Sequence, residues 1–251
     1  MQALQPTAIV PFSIDRDTAT NILRKHYARH KDLPSSFADD QSISCVRSAY
    51  VPFWHYELSV LGDVELDGET EQLWEDASYR YKRINYYELR RAGVMSFAHL
   101  PVCACSSIER EYLEAVEPYD YAGLQSIESA DGLDCPVLIA DLDAKTCREI
   151  AQSRAEKSFD AAIRQSVSSA FLRVRAREQR HGFEWQEACL VLQPVWLHVT
   201  KWDGKEFVTA INGQTGAVWG DLPIDRKKLA RRSMKISAVL LAALLLMLWV
   251  F

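Results

Sequence analysis

Apolar residues recur at helical spacing in two stretches of the chain and alternate with polar ones over much of the rest. Ala19, Ile22, Leu23 and Tyr27 stand three and four apart within 14–30, with Asp15 or Asp17 ahead of them to cap the first turn. A helix is therefore predicted there, ending before Pro34. Residues 43–61 read as a long strand with Tyr50-Val51-Pro52-Phe53-Trp54-His55-Tyr56-Glu57-Leu58 at its centre, closed by turn residues at Gly62-Asp63. Further strands are expected at 63–66, 77–91 and 93–104, in an antiparallel pattern with polar positions outward.

The same order of parts then returns. Residues 144–180 form a long helical run in which Ile150, Ala151, Ala155, Phe159, Ala162, Ile163, Val167, Ala170, Phe171 and Val174 keep near three-to-four spacing. After a break at His181-Gly182 a strand covers 190–200, and Gln193-Pro194-Val195-Trp196 echoes Val51-Pro52-Phe53-Trp54. Both tryptophans read as core residues, since buried aromatics supply much of a core's burial energy. Two hairpin signals follow, Asp203-Gly204 and Asn212-Gly213, because both positions of a type I′ turn need positive φ. The pattern changes once more at the end, where residues 236–251 carry no charge and one hydroxyl, Ser237. Sixteen residues reach about 24 Å as a helix against a hydrocarbon layer of about 30 Å, and Leu240, Leu241, Leu244, Leu245, Leu246 and Leu248 are apolar all round.

Charge sharpens that picture. Residues 225–251 hold six basic and one acidic residue, net +5, and residues 1–224 are then net −10. Arg226, Lys227, Lys228, Arg231, Arg232 and Lys235 form a basic collar suited to an anionic membrane surface, and their place before the apolar run puts the body in the cytoplasm by the positive-inside rule. An acidic body is poorly suited to broad nucleic-acid binding. Met1 to Val10 has neither a basic n-region nor a long apolar run, so no cleavable signal is expected. The fold class predicted is α+β: two related helix-plus-antiparallel-sheet units, residues 1–120 and 121–224, then the collar 225–233 and one C-terminal transmembrane helix, 234–251. The expected location is the inner membrane, single-pass.

Tyr50-Val51-Pro52-Phe53-Trp54, Glu117-Pro118-Tyr119-Asp120-Tyr121, Pro194-Val195-Trp196 and Asn212-Gly213-Gln214-Thr215-Gly216 with Gly220-Asp221-Leu222-Pro223 resemble a bacterial family of TFIIB-type zinc-ribbon-containing membrane proteins. The last unit also looks PepSY-like, a small helix-plus-sheet module that usually acts by binding. The resemblance implies an N-terminal zinc ribbon, an α+β body, one or two transmembrane helices, and a place beside SPFH (flotillin-like) proteins in membrane-stress systems. No Cys-x-x-Cys pair lies ahead of Ala8-Ile9-Val10-Pro11-Phe12, so no ribbon zinc is expected in this chain.

Candidate chemistry is sparse. Cys103 and Cys105 are two apart on a predicted strand and with His99 could begin a metal site, but a fourth ligand is not apparent, and simple buried cysteine is the blander reading. The six cysteines, Cys45, Cys103, Cys105, Cys135, Cys147 and Cys189, read as thiols in a reducing compartment. No phosphate loop or nucleophile elbow appears, and His55, His99, His181 and His198 lack an evident catalytic partner. Arg173, Arg175, Arg177 and Arg180 at the end of the predicted long helix complement its dipole, or form a patch for lipid headgroups or an acidic partner. The function expected is a non-enzymatic membrane-anchored adaptor or scaffold for an SPFH-like partner, without cofactor. A metal- or thiol-dependent enzyme at His99, Cys103 and Cys105 and a nucleic-acid-associated protein are the alternatives.

Overall fold

Two strands far longer than the sequence reading allows dominate the computed structural model, which describes residues 5–37, 39–127 and 133–250, apart from the side chains of residues 40, 242–246 and 248–250. β2 (Arg47–Glu75) runs straight through Gly62-Asp63, and β3 (Arg80–Cys103) returns beside it. Gly62 is no turn: it pairs with Gly93 in mid-ladder, and a Cβ there would lie 2.1 Å from Phe159 Cε1, so glycine makes room for the ring.

The remaining elements are β1 (Ala8–Ile9), α1 (Arg16–Arg29), α2 (Asp40–Ile43), α3 (Arg110–Glu114), β4 (Gln125–Ser126), α4 (Ala144–Ser168), β5 (Arg173–Trp185), β6 (Cys189–Trp202), β7 (Lys205–Asn212), β8 (Val218–Gly220) and α5 (Arg226–Val250). The eight strands hydrogen-bond as one sheet in the order β3-β2-β6-β1-β4, with β5 on β2, β7 on β6 and β8 on β7.

The expected fold of two consecutive helix-plus-sheet units and a transmembrane helix is corrected on both counts. Its strands belong to this one large sheet, accompanied by five α-helices among the described residues. By compactness the chain divides into two interleaved units, Met1–Thr7 with Phe53–Ala104 and Ala140–Val191, and Ala8–Pro52 with Cys105–Ile139 and Leu192–Phe251. The predicted span 234–251, with its single-pass placement in an inner membrane, is overturned by a second finding. Among the described residues no helix is long and apolar enough to cross a membrane. Six of the first ten residues of α5 are Arg or Lys. Several side chains of the predicted span, 242–246 and 248–251, lie outside the described set.

In the first unit, β3, β2 and β5 form an antiparallel sheet with α4 across one face. Asp143 caps α4 by accepting from Thr146 N at 2.7 Å, and this bond holds its carboxyl below the usual range. Cys147, Ala151, Ala155 and Phe159, each four residues on, turn one narrow stripe into a core with Leu58, Val60, Val64, Leu66 and Val102. Each valine, leucine or phenylalanine among them contributes about 1.5–3 kcal/mol by leaving water. Trp54 belongs to the same core and donates its indole N–H to Leu142 O at 2.9 Å.

In the second unit α1, capped by Asp15 accepting from Thr18 N at 2.8 Å, buries Ala19, Leu23 and Tyr27 with Phe37, Trp196 and Ile211. The Trp196 indole donates to Ile14 O at 3.0 Å. β6 turns into β7 through Asp203 and Gly204 at φ 51° and 75°, the two positive values of the predicted hairpin centre. Asn212-Gly213 does not repeat it. Positive φ falls on Gly216 instead, and Gly213 is required by closeness, because a Cβ would sit 2.6 Å from the Phe12 ring and 2.8 Å from Pro194 Cβ.

Candidate protein-docking hairpin

The helix predicted over 144–180 ends at Ser168, and Arg173, Arg175, Arg177 and Arg180 stand on β5, not on a helix terminus. The alternation Arg173-x-Arg175-x-Arg177 is a strand period, and it has a counterpart in Asp63-x-Glu65-x-Asp67-x-Glu69-x-Glu71 on β2. Arg177 reaches Glu65 at 2.9 Å and Glu88 at 2.8 Å, and Arg173 reaches Glu69 at 3.8 Å. Those carboxylates raise the Arg177 pKa further above its ordinary value. The expected helix-end patch is thus part of a two-signed ladder on the sheet face opposite α4, where exposed pairs add little stability each.

The thiol and imidazole candidates differ in burial. His99 is exposed on β3, and Cys103 and Cys105 are buried. Cys147 Sγ donates to Cys103 O at 3.6 Å, and the Ser107 hydroxyl donates to Cys105 Sγ at 3.6 Å. Among the described residues no group of three or more His, Cys, Asp or Glu could hold a metal ion. All six cysteines are free thiols. His55, missed as a buried group, has its ring 5.6 Å from that of His99. Burial, then the neighbouring His99, pushes its pKa down to about 3.

His198 belongs to the second unit and is 1% exposed. Its Nδ1 meets Tyr27 Oη at 2.8 Å, its Nε2 meets Ser42 O at 3.0 Å, and Tyr27 Oη also meets Thr209 Oγ1 at 3.0 Å. Burial lowers the His198 pKa, the Ser42 carbonyl opposing, and raises Tyr27 to about 12, Thr209 opposing. A hydrogen-bonded cluster of this kind ties α1 to β6 and β7.

Two of the resemblance motifs meet within that unit. Asn212, fully buried, donates from Nδ2 to Val116 O at 2.9 Å and Pro118 O at 3.1 Å, while its Oδ1 accepts from Gln214 N at 2.8 Å and Thr215 N at 2.9 Å. Gln214 and the Asp120 backbone exchange two further bonds, 2.7 and 2.9 Å. These motif residues clamp the 116–120 loop to the turn after β7. The collar is likewise engaged in part: Asp225 caps α5 through Lys227 N and Lys228 N, Lys228 Nζ donates to Leu33 O at 2.8 Å, and Arg232 pairs with Asp32 at 3.1 Å. Arg226, Lys227, Arg231 and Lys235 are exposed.

What remains is the far end of the β2–β3 hairpin. β5 stops pairing at Glu69, where Leu172 N donates to Glu69 O at 2.8 Å, and residues 70–75 and 80–85 continue as a two-stranded ribbon. Asp76 closes it by accepting from Ser78 N and Tyr79 N at 2.8 Å and from the Tyr81 hydroxyl at 2.7 Å, which together lower its pKa. Trp74 and Tyr81, opposite each other in register, stack at 5.4 Å and 10°, with the Arg83 guanidinium 5.5 Å from the Trp74 ring. Leu73, Trp74, Tyr79 and Tyr86 are 61, 45, 69 and 73% exposed. The hairpin's own charges are largely spent on each other, in Glu71–Lys82 at 2.5 Å and Glu75–Arg80. A concentration of uncovered aromatic and aliphatic side chains of this kind makes the ribbon a candidate interaction site. The turn assumed at Gly62-Asp63 hid it, although charged and uncharged residues alternate from Asp63 to Gln72.

No family model matches the chain. No solved structure matches it significantly. The chain is 27% identical over 229 residues to the uncharacterized protein YdjG of Bacillus subtilis (strain 168), a match that covers 90% of this chain. The chain spans 66% of the length of that curated relative.

Proposed function

We propose that this protein is a non-enzymatic adaptor that binds another protein through the tip of the β2–β3 hairpin. The observation that carries the reading is the ribbon beyond Glu69. A two-stranded hairpin is marginal in water, and this one exposes Leu73, Trp74, Tyr79, Ile84 and Tyr86 without contributing to either core. Trp and Tyr are also the side chains that most often dominate the energy of protein interfaces. The motif resemblance supports an SPFH-like partner, and the likeness to YdjG adds no function of its own. The burial of His55, His198, Cys103, Cys105 and Cys147 supports binding over catalysis, because it keeps these groups from solvent and from a substrate.

Shortening the hairpin tests the reading directly. Replacing residues 70–85 by Asn-Gly, which closes a type I′ turn on the Glu69–Tyr86 pair, removes the tip and leaves the α4-covered sheet. Affinity capture with the full-length protein is expected to recover an SPFH-like protein, and the shortened form should recover at least tenfold less while melting within about 3 °C of the parent. Equal recovery by both forms would overturn the proposal.

A further inference from the structure

We infer that the tip's binding surface is the face continuous with the α4-covered side of the sheet, and that its occupant is an amphipathic helix of a partner protein bearing a carboxylate for Arg83. The inference rests on the adaptor reading and narrows it to one face and one chemistry.

Strict two-residue alternation assigns the faces. On β2 the row Val64, Leu66, Gly68, Thr70, Gln72 and Trp74 has no charge, whereas the other row is acidic at every position from Asp63 to Glu75 except Leu73. Register places Tyr81, Arg83, Asn85, Tyr87 and Leu89 of β3 on the uncharged side. Up to Gly68 and Tyr87 that side is covered from within. Val64, Leu66 and Leu89 pack in the α4 core, Phe171 just past α4 stacks edge-on against Tyr87 at 5.5 Å, and a Cβ on Gly68 would lie 2.7 Å from the Phe171 ring. One residue pair further out Thr70 and Asn85 are half-buried, and beyond them Gln72, Trp74, Tyr81 and Arg83 continue the same surface exposed.

A face begun by a helix is completed most simply by another helix laid along the same layer, its apolar stripe on the Trp74–Tyr81 stack. Charge selects the helix. Arg83 is the one charged residue on this stretch of the face and has no carboxylate partner among the described residues, whereas the opposite face, although it also exposes Leu73, Ile84 and Tyr86, carries both signs already paired. A second copy of the chain fits poorly, because its exposed apolar helix, α5, opens on six cations and would set like charge against Arg83.

Photocrosslinking in the producing cell tests the face and the occupant together. Benzoylphenylalanine is placed singly at Gln72 or Asn85 on the uncharged face and at Glu71 or Ile84 on the other, in the full-length chain. Adducts are expected from positions 72 and 85 at no less than tenfold the yield of 71 and 84. Mass mapping should place the adduct on a partner segment with apolar residues three and four apart and Asp or Glu on its flank. Arg83→Glu should cut the yield at least fivefold, and Arg83→Lys should retain most of it. Adducts confined to 71 and 84, attachment to an extended or basic segment, to nucleic acid, or to a second copy of the chain would each overturn the inference. In those cases partner capture that still depends on residues 70–85 would leave the adaptor reading standing. Capture independent of the hairpin would remove both.

Discussion

Asn212→Ala is expected to destabilise the second unit by about 3–5 kcal/mol and to lower its melting temperature by roughly 10 °C. One amide there satisfies four backbone groups: the carbonyls of Val116 and Pro118 and the N–H groups of Gln214 and Thr215. A typical hydrogen bond contributes about 1 kcal/mol net, and a buried group left without its partner costs about 1–3 kcal/mol. Asn212→Asp separates the two halves of the clamp. The carboxylate still accepts from Gln214 and Thr215, but it faces two carbonyl oxygens it cannot donate to, so at neutral pH this variant should be destabilised at least as much. Thermal unfolding followed by circular dichroism measures both. A melting temperature for Asn212→Ala within 2 °C of the parent would show that the 116–120 loop is not held by this side chain.

Acid should loosen the protein well above the pH at which carboxylates titrate. His55 is 2% exposed, and burial beside His99 puts its folded pKa near 3 against an ordinary value of 6.5. A lowered histidine pKa means that the unfolded chain binds the proton first. Stability from this group is therefore complete above pH 6.5 and declines as pH falls from 6.5 toward 3. The slope is about 1.4 kcal/mol per pH unit for one proton, so roughly 2–3 kcal/mol is lost between pH 6.5 and 4.5. His198 and His26, also lowered mainly by burial, act in the same direction. The lowered carboxylates Asp15, Asp63, Asp76 and Asp143 enter only below their ordinary value of 3.8, outside that window. Urea unfolding at half-unit steps from pH 7 to 4.5 should show the decline, and His55→Leu should flatten it by about one proton. A parent whose stability is level across that range would mean that His55 takes up its proton in the folded state.

Much of the local structure was legible because it is decided within a few residues. Asp15 caps α1 as its place before the apolar spacing requires, and Asp203-Gly204 makes the two-residue turn that only positive φ allows. Trp54 and Trp196 are core residues, each with its N–H satisfied by a nearby carbonyl. Other assignments failed where a local signal had a distant cause. Gly62 resembles a turn residue until Phe159, 97 positions later, is seen to need its space. Val174 keeps the apolar spacing of α4, yet the arginines flanking it stand on a strand, drawn into register beside the acidic row of β2 more than a hundred residues earlier. Asn212-Gly213 has the composition of a hairpin centre, but the asparagine is engaged with a loop ninety-odd residues upstream.

By itself the sequence determined which segments alternate with period two and which with three to four, where chains must cap or turn, and that the body is acidic ahead of a basic stretch. Those properties depend on backbone sterics and on side-chain spacing, which act over one or two turns. Only the tertiary structure decided how far β2 and β3 extend, which strands share one sheet, and that no helix among the described residues is long and apolar enough for a membrane crossing. It also decided which side chains are left over once α4 has covered its share of the sheet. Trp74, Tyr81 and Arg83 read like any core pattern in the chain, and what makes them a candidate site is that the covering layer ends at Phe171.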